Sequence, residues 1–332
     1  MTLRMELGEN GYDIVIERGC LKKAGTLLDL DRKALIVTDD GVPPQYAKTV
    51  AGACKAPTVV TIPQGEGSKS VPVLERLLSK MLAAGFTRSD CVVAVGGGVV
   101  GDLSALAAAL YMRGIDFYNI PTTLLSQADS SIGGKTGIDL DGVKNIVGTF
   151  SQPKKVLIDP DLLATLPPRQ VAAGHAEIVK AGLIADAELF SLYERGEVDV
   201  AEALRRALLV KKRVVEEDER EGGLRRILNF GHTLGHGIES VTGLLHGECV
   251  ALGMIPMCSP AVRARLIPVL ARLGLPTAVS ADPDKIYAAL LHDKKAAGGK
   301  IVSVVVEEVG ACKQIALSPA LLREKIETVV TR

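Results

Sequence analysis

Residues 91–112, CVVAVGGGVVGDLSALAAALYM, are long and apolar enough to resemble a membrane span, and what interrupts them decides what this chain can fold into. Gly96, Gly97, Gly98 and the acidic Asp102 fall near the middle of the run. A buried strand, a tight turn and a buried helix account for these residues more cheaply than a lipid-embedded helix. We therefore read the segment as protein core and expect no membrane association.

Short β-branched runs at 34–38, 58–62, 91–95 and 115–120 alternate with helical patterns at 71–84 and 102–110. That alternation is the sequence form of a parallel sheet covered by helices. Residues 3–7 and 13–17, joined by 8–11, read as an opening hairpin. After Asp159-Pro160 the period changes to that of helices, expected at 169–185, 200–217, 229–241, 247–257, 262–273 and 283–292, with strands only at 301–306 and 313–317. The expected organisation is an α/β domain over 1–160 with a mostly parallel sheet and a Gly-rich turn, then a mainly α-helical domain over 161–332. Two domains of roughly 100–200 residues each suit the length of 332.

Charge narrows the partners. The 39 Lys+Arg balance 39 Asp+Glu and aromatic residues make up 3% of the chain, so the totals hold neither the basic excess nor the stacking rings of a nucleic-acid binder. The six cysteines, at 20, 54, 91, 249, 258 and 312, form no CxxC pair and read as reduced thiols. The first residues hold no apolar stretch with a cleavage site, so a cytoplasmic location is expected.

Two glycine elements bear on ligand binding. At Gly96-Gly97-Gly98 the absence of Cβ lets the backbone approach a pyrophosphate, and free N–H groups at a helix start attract its charge. The spacing is not GxGxxG, which leaves a dinucleotide site and a simple tight turn both open. In Gly133-Gly134-Lys135-Thr136 the glycine that a P-loop requires is replaced by Asp129, which excludes that ATPase motif.

Three of the five histidines, His232, His236 and His246, lie within fifteen residues. A helix would put His232 and His236 on one face, as a metal pair requires. Thr233 stands where an HExxH protease has Glu, so a metalloprotease is not expected. Gly231, Gly235, Gly237, Gly243 and Gly247 around them favour close packing and ligand approach, but spacing leaves open which of the three bind metal. Glu177 could complete such a site, or form an ordinary i,i+3 ion pair with Lys180 on a solvated face.

Taken together, GGGVVGD (96–102), YMRG (111–114), PTTLLSQADSSIGGKTGID (121–139), KNIVG (144–148), GHAEIVKAG (174–182), EDEREGGLRRILNFGHTLGHGIE (217–239) and LHGECVALGM (245–254) resemble the 3-dehydroquinate synthase family of sugar phosphate cyclases. The resemblance implies an NAD-binding first domain, a metal- and substrate-binding second domain, and conversion of 3-deoxy-D-arabino-heptulosonate 7-phosphate to 3-dehydroquinate and phosphate. It implies Zn2+ or Co2+ on Glu177, His232 and His246, leaving His236 catalytic. NAD contacts would fall on Asp39, Glu66, Lys69, Gly97, Gly98, Val99, Asp102, Thr122, Thr123, Lys144 and Thr165. Matched phosphate-side residues are Lys135, Asn145, Asn229, His236 and Lys294, and carboxylate-side ones Lys211 and Arg225. Asp129 and Lys180 would meet substrate hydroxyls, and Glu221 matches a proton-transfer position. Arg113 matches a residue that reaches the neighbouring subunit, which implies a homodimer.

Three departures stand out. The segment after Met254 is short for the family and carries Pro256, Pro260 and Pro268, each hostile to a helix interior. Lys294 has Lys295 beside it as a rival for one phosphate contact, and His175 stands where a bulky apolar residue is expected, as a metal-side partner or simply packed. Rival activities are a sibling cyclase, against which Lys211 and Arg225 argue by providing for a carboxylate, and a metal-dependent alcohol dehydrogenase, which would accumulate NADH. An inactive scaffold is disfavoured because every matched metal and proton-transfer position holds the expected residue type.

Overall fold

The structure, a computed structural model, describes residues 1–295 and 301–331, with side chains described up to residue 291 and again from 301. They fall into two compact units, Met1–Leu166 and Pro167–Arg332. Lys294 lies on a described helical backbone, but its side chain is outside the described residues.

The first unit is built on strands β1 (Thr2–Met5), β2 (Tyr12–Ile16), β3 (Lys33–Asp39), β4 (Ala56–Ile62), β5 (Cys91–Gly96), β6 (Asp116–Pro121) and β9 (Lys155–Ile158), with a separate hairpin of β7 (Ile138–Leu140) and β8 (Val143–Val147). The seven-stranded sheet runs β1-β2-β9-β6-β5-β3-β4, parallel throughout except for the opening β1–β2 pair. Every residue of β5 is buried, as a central strand covered on both faces must be. Its side chains alternate. Val92 and Ala94, with Leu35 and Val37 of β3, pack under α3 (Val71–Ala83) and α4 (Gly98–Leu110). Val93 and Val95, with Ile36, face α1 (Ala24–Leu27) and α2 (Pro44–Gly52). The apolar run at 91–112 is therefore β5, a turn and α4, and no helix among the described residues is long and apolar enough to cross a membrane.

β3 lies between β4 and β5, so successive crossovers leave it in opposite directions. A crevice opens at such a reversal, beyond the carboxyl ends of the strands, and is where open α/β sheets take ligands. Here it lies between Asp39 and Gly96. Helix α4 begins at Gly98, four residues earlier than its apolar pattern suggests, because glycines 98 and 101 weaken the propensity of its first turn.

The second unit is mainly helical: α5 (Pro168–Ala185), α6 (Ala187–Arg195), α7 (Val200–Glu217), α8 (His232–Val241), α9 (His246–Met254), α10 (Pro260–Arg272), α11 (Pro283–Lys295) and α12 (Pro319–Glu327). Strands β10 (Val279–Ser280) and β13 (Val330–Thr331) pair in parallel, and β11 (Ile301–Glu308) and β12 (Ala311–Leu317) form a hairpin. Helix α6 was not expected; one residue, Asp186, separates it from α5 and caps it by accepting the Leu189 N–H. The prolines after Met254 do less harm than their number suggests. Pro256 sits in a short 3-10 turn, Pro260 opens α10 behind the Ser259 cap, and Pro268 is inside α10 on its exposed side, where water can serve the freed carbonyl.

Candidate active site

In the second unit the functional residues come from three helices that touch backbone to backbone. A Cβ on Gly253 would lie 1.9 Å from the Gly231 carbonyl, one on Gly235 3.0 Å from that of Cys249, and one on Gly247 2.0 Å from that of Ala173. Only glycine permits α8, α9 and α5 to approach this closely. Gly231 also takes φ +79°, which starts α8 at His232 rather than at 229. Replacing Gly247 by alanine should force α9 off α5 at a cost of about 2–3 kcal/mol. The check is a lowered Tm together with weakened metal binding; an unchanged Tm contradicts the packing argument.

The close approach brings His232 and His246 to Glu177. Their Nε2 atoms lie 3.6 and 3.7 Å from Glu177 Oε1. Glu177 is almost wholly buried and paired with the equally buried Lys180, so the i,i+3 ion pair exists, but in the interior rather than on a solvated face. Lys180 sits on Oε2, while Oε1 is the oxygen that both imidazoles face, so it is the atom turned toward a metal. His232 Nδ1 lies 3.1 Å from the Phe230 carbonyl and His246 Nδ1 3.2 Å from Glu239 Oε2, so each ring is held by Nδ1 and turns Nε2 toward Glu177. Tetrahedral zinc at its usual bond lengths sets ligand atoms about 3.3–3.4 Å apart. One carboxylate and two imidazoles at this separation fit a divalent metal with an open position.

His236 stands in the same group, its ring centroid 5.4 Å from His232 and 5.8 Å from His246, but it is exposed where the other two are half-buried. Electrostatics separate the rings further. Burial, and then repulsion by Lys180, push His232 down to about 3. Burial opposes a charge on His246, yet the Glu177 and Glu239 carboxylates override it and raise the ring to about 9. Burial would also raise Glu177, but Lys180, then His232 and His246, hold it well below the usual carboxylate range. His175 is packed: its Nδ1 meets the Tyr193 hydroxyl at 2.7 Å, and burial lowers it to about 4.

Nearby, Asn229 Nδ2 donates to Glu221 Oε1 at 2.5 Å, and Glu221 adopts a left-handed φ of +61°. Arg225 is buried, its guanidinium donating to the Glu219 carbonyl and its backbone N–H to Asp218. Lys211 is a second buried cation, on α7. Two residues escaped the sequence reading. Glu248 accepts the Leu245 N–H at 2.8 Å and is gripped by Arg169 through two 2.7 Å bonds, which fixes the start of α9. Glu239 is the other, three residues after His236 on α8.

In the first unit, Asp39 ends β3, Gly97 and Gly98 follow β5, Thr122 and Thr123 follow β6, and Val99 is in the first turn of α4. A Cβ on Gly97 would press Thr123 at 3.1 Å, and one on Gly98 would press Ser130 at the same distance. Asp39 accepts the N–H groups of Gly41 and Val42, while burial raises its pKa. Lys69 is buried and gathers Asp102 at 2.8 Å, Glu66 at 3.5 Å and the side-chain oxygen of Asn145. Asp129 lies in a π-helical turn, Ser126–Ser130. Asp102 and Lys135 line one narrow recess with Asn119 and Ser130. Lys144 is exposed on β8, Arg113 is exposed in the turn after α4, and Thr165 binds the Tyr46 hydroxyl at 3.0 Å.

Comparisons with known proteins agree with this geometry. The sequence profile described as 3-dehydroquinate synthase N-terminal matches residues 59–173, and that described as 3-dehydroquinate synthase C-terminal matches 174–296. A 3-dehydroquinate synthase of Streptococcus thermophilus is 42% identical over 348 aligned residues, covering 96% of this chain and 98% of that protein. Among solved structures, a 2-deoxy-scyllo-inosose synthase complexed with carbaglucose-6-phosphate, NAD+ and Co2+ superposes with a TM-score of 0.89 at 26% identity, covering 98% of this chain and 99% of that one. A 2-epi-5-epi-valiolone synthase from Streptomyces hygroscopicus, with NAD+ and Zn2+ bound, gives 0.87 at 31% identity, covering 96% of each chain. Two consecutive profiles thus account for most of the sequence, the second of them enclosing Glu177, His232 and His246, and the chain belongs to the 3-dehydroquinate synthase family.

Proposed function

We propose that this chain converts 3-deoxy-D-arabino-heptulosonate 7-phosphate to 3-dehydroquinate and phosphate, using NAD+ and a divalent metal, in the shikimate pathway. The observation that carries the reading is the buried Glu177 carboxylate facing two imidazoles whose Nδ1 atoms are already engaged. Bound NAD+ would supply reversible hydride chemistry at a substrate carbinol, and a bound metal would polarise the oxygen at that carbon.

The protein's own residues divide the remaining work. Glu177, His232 and His246 hold the metal, and His236, exposed beside them, handles a proton or the phosphate. Lys180, pinned to Glu177, holds a substrate hydroxyl. Substrate phosphate and carboxylate carry about three negative charges near neutral pH. The second unit meets them with Lys211 and Arg225 at the carboxylate and Asn229 at the phosphate, and Glu221, bound to Asn229, moves a proton. The first unit supplies Lys135 and Asn145 for phosphate and Asp129 for a hydroxyl. Asp39, Glu66, Lys69, the Gly97-Gly98 turn, Val99, Asp102, Thr122, Thr123, Lys144 and Thr165 form the dinucleotide site, most of them at the carboxyl ends of the strands.

A homodimer in the cytoplasm completes the proposal. Met112 and Arg113 take φ of 50° and 71°, two successive left-handed non-glycine residues that cost strain, and Arg113 is exposed beside the exposed Leu110 and Met112. That arrangement supports an arginine offered to a second copy. Substrate identity is tested by comparing the heptulosonate phosphate with glucose 6-phosphate and sedoheptulose 7-phosphate. Formation of dehydroquinate from the first alone is expected, and turnover of either other sugar phosphate in its place overturns the assignment.

A further inference from the structure

His232, His236 and Glu239 are spaced four and three residues apart on α8, so they line one face of it. His232 holds metal and His236 works on the substrate. The third ends 3.2 Å from His246 Nδ1, a normal length for an N–H donor and a carboxylate acceptor. His246 is the first residue of α9, so its ring is not held by a preceding turn of its own helix. Glu248 and Arg169 secure the backbone there, through the Leu245 N–H, but neither has a bond to the imidazole. His232 solves the same problem differently, by donating from Nδ1 to the carbonyl of Phe230 two residues before it.

We propose that Glu239 is a positioning residue for the metal site: its carboxylate accepts and holds the Nδ1–H of His246, so that the proton given up on metal binding is the one on Nε2, and aims that atom at the metal. This rests on the assignment of Glu177, His232 and His246 as ligands. The physical ground is general. An imidazole ligand needs one nitrogen protonated and anchored so that the other presents its lone pair, and losing such an anchor typically costs about 10- to 100-fold in metal affinity. Glu239 is mostly buried, with 16% of its side chain exposed, so water replaces its oxygen poorly. An ion pair of purely structural value would need the negative charge; an anchor needs only an acceptor at the right place.

The substitutions separate these. Glu239→Ala removes the acceptor, Glu239→Gln keeps an acceptor oxygen without the charge, and Glu239→Asp keeps the charge but withdraws it by one methylene. Co2+ affinity is measured by chelator competition on the full chain, with the visible Co2+ absorption as a report of coordination, and the Tm of the metal-free protein and NAD+ affinity as controls. The expected result is at least a fivefold loss of Co2+ affinity and an altered spectrum for Glu239→Ala and Glu239→Asp, near-parental affinity for Glu239→Gln, and unchanged NAD+ binding. A loss below fivefold in the alanine variant overturns the proposal, as does a Gln variant no better than Ala. Should Glu239→Ala fail to fold, the contrast between Gln and Asp decides by the same criteria. Failure of the parent protein to bind Co2+ is a different result: it removes the metal site itself, and this role with it.

Discussion

His232→Ala is expected to abolish both metal binding and turnover, whereas His236→Ala keeps the metal and loses rate. His232 is half-buried and turns Nε2 to within 3.6 Å of Glu177, so no other side chain can take its place without moving α8. A metal at a developing charge contributes several kcal/mol, which at 1.36 kcal/mol per decade is about a thousandfold or more in rate. His236 is exposed on the same helix face and offers acid–base chemistry, whose loss costs about 10²- to 10⁴-fold. Bound metal per chain, measured on both variants beside kcat, distinguishes the roles. Loss of metal from His236→Ala would contradict the division, since the three histidine nitrogens lie within 4.8 Å of one another and distance alone does not rank them.

Lys69→Met is expected to destabilise the first unit and weaken NAD+ together. Burial opposes the ammonium charge, but Asp102 and Glu66 more than restore it and raise the pKa. Removing it leaves Asp102, only 22% exposed, without this partner, a loss of about 3 kcal/mol. The same substitution removes the side-chain bond to Asn145 on β8, so NAD+ affinity should fall about tenfold or more, equivalent to at least 1.4 kcal/mol. Lys55→Met is the contrast, because Lys55 and Asp31 form a pair 65% and 85% exposed that contributes little. Thermal unfolding and NAD+ titration of both variants check this. Equal behaviour of the two would contradict the account of Lys69.

The central strand and its turn were legible because burial on both faces leaves an unbroken apolar run, and β5 has no exposed residue. Hairpin β7–β8 was not legible, since all five residues of β8 are exposed and no alternation marks a face. β9 is only four residues long and owes its place to parallel pairing with β2 and β6. In the metal cluster, spacing identified the three histidines as a group, but it left both readings of Glu177 open. The deciding facts are tertiary: backbone contact at Gly231, Gly235, Gly247 and Gly253 brings α5, α8 and α9 together and takes the Glu177–Lys180 pair out of solvent. The family resemblance implies the same ligands, Glu177, His232 and His246. Glu239 has no motif of its own, and only its contact with His246 singles it out.

A hydride removed and returned around a phosphate elimination leaves no net redox. The most direct test of that cycle follows phosphate release and NADH absorbance together, on the heptulosonate phosphate, with and without NAD+ and with and without a chelator. Stoichiometric phosphate that requires NAD+, no accumulating NADH, loss of activity in chelator and recovery on adding Zn2+ or Co2+ are the predicted result. NADH accumulating without phosphate release would contradict it and mark the chain as a dehydrogenase.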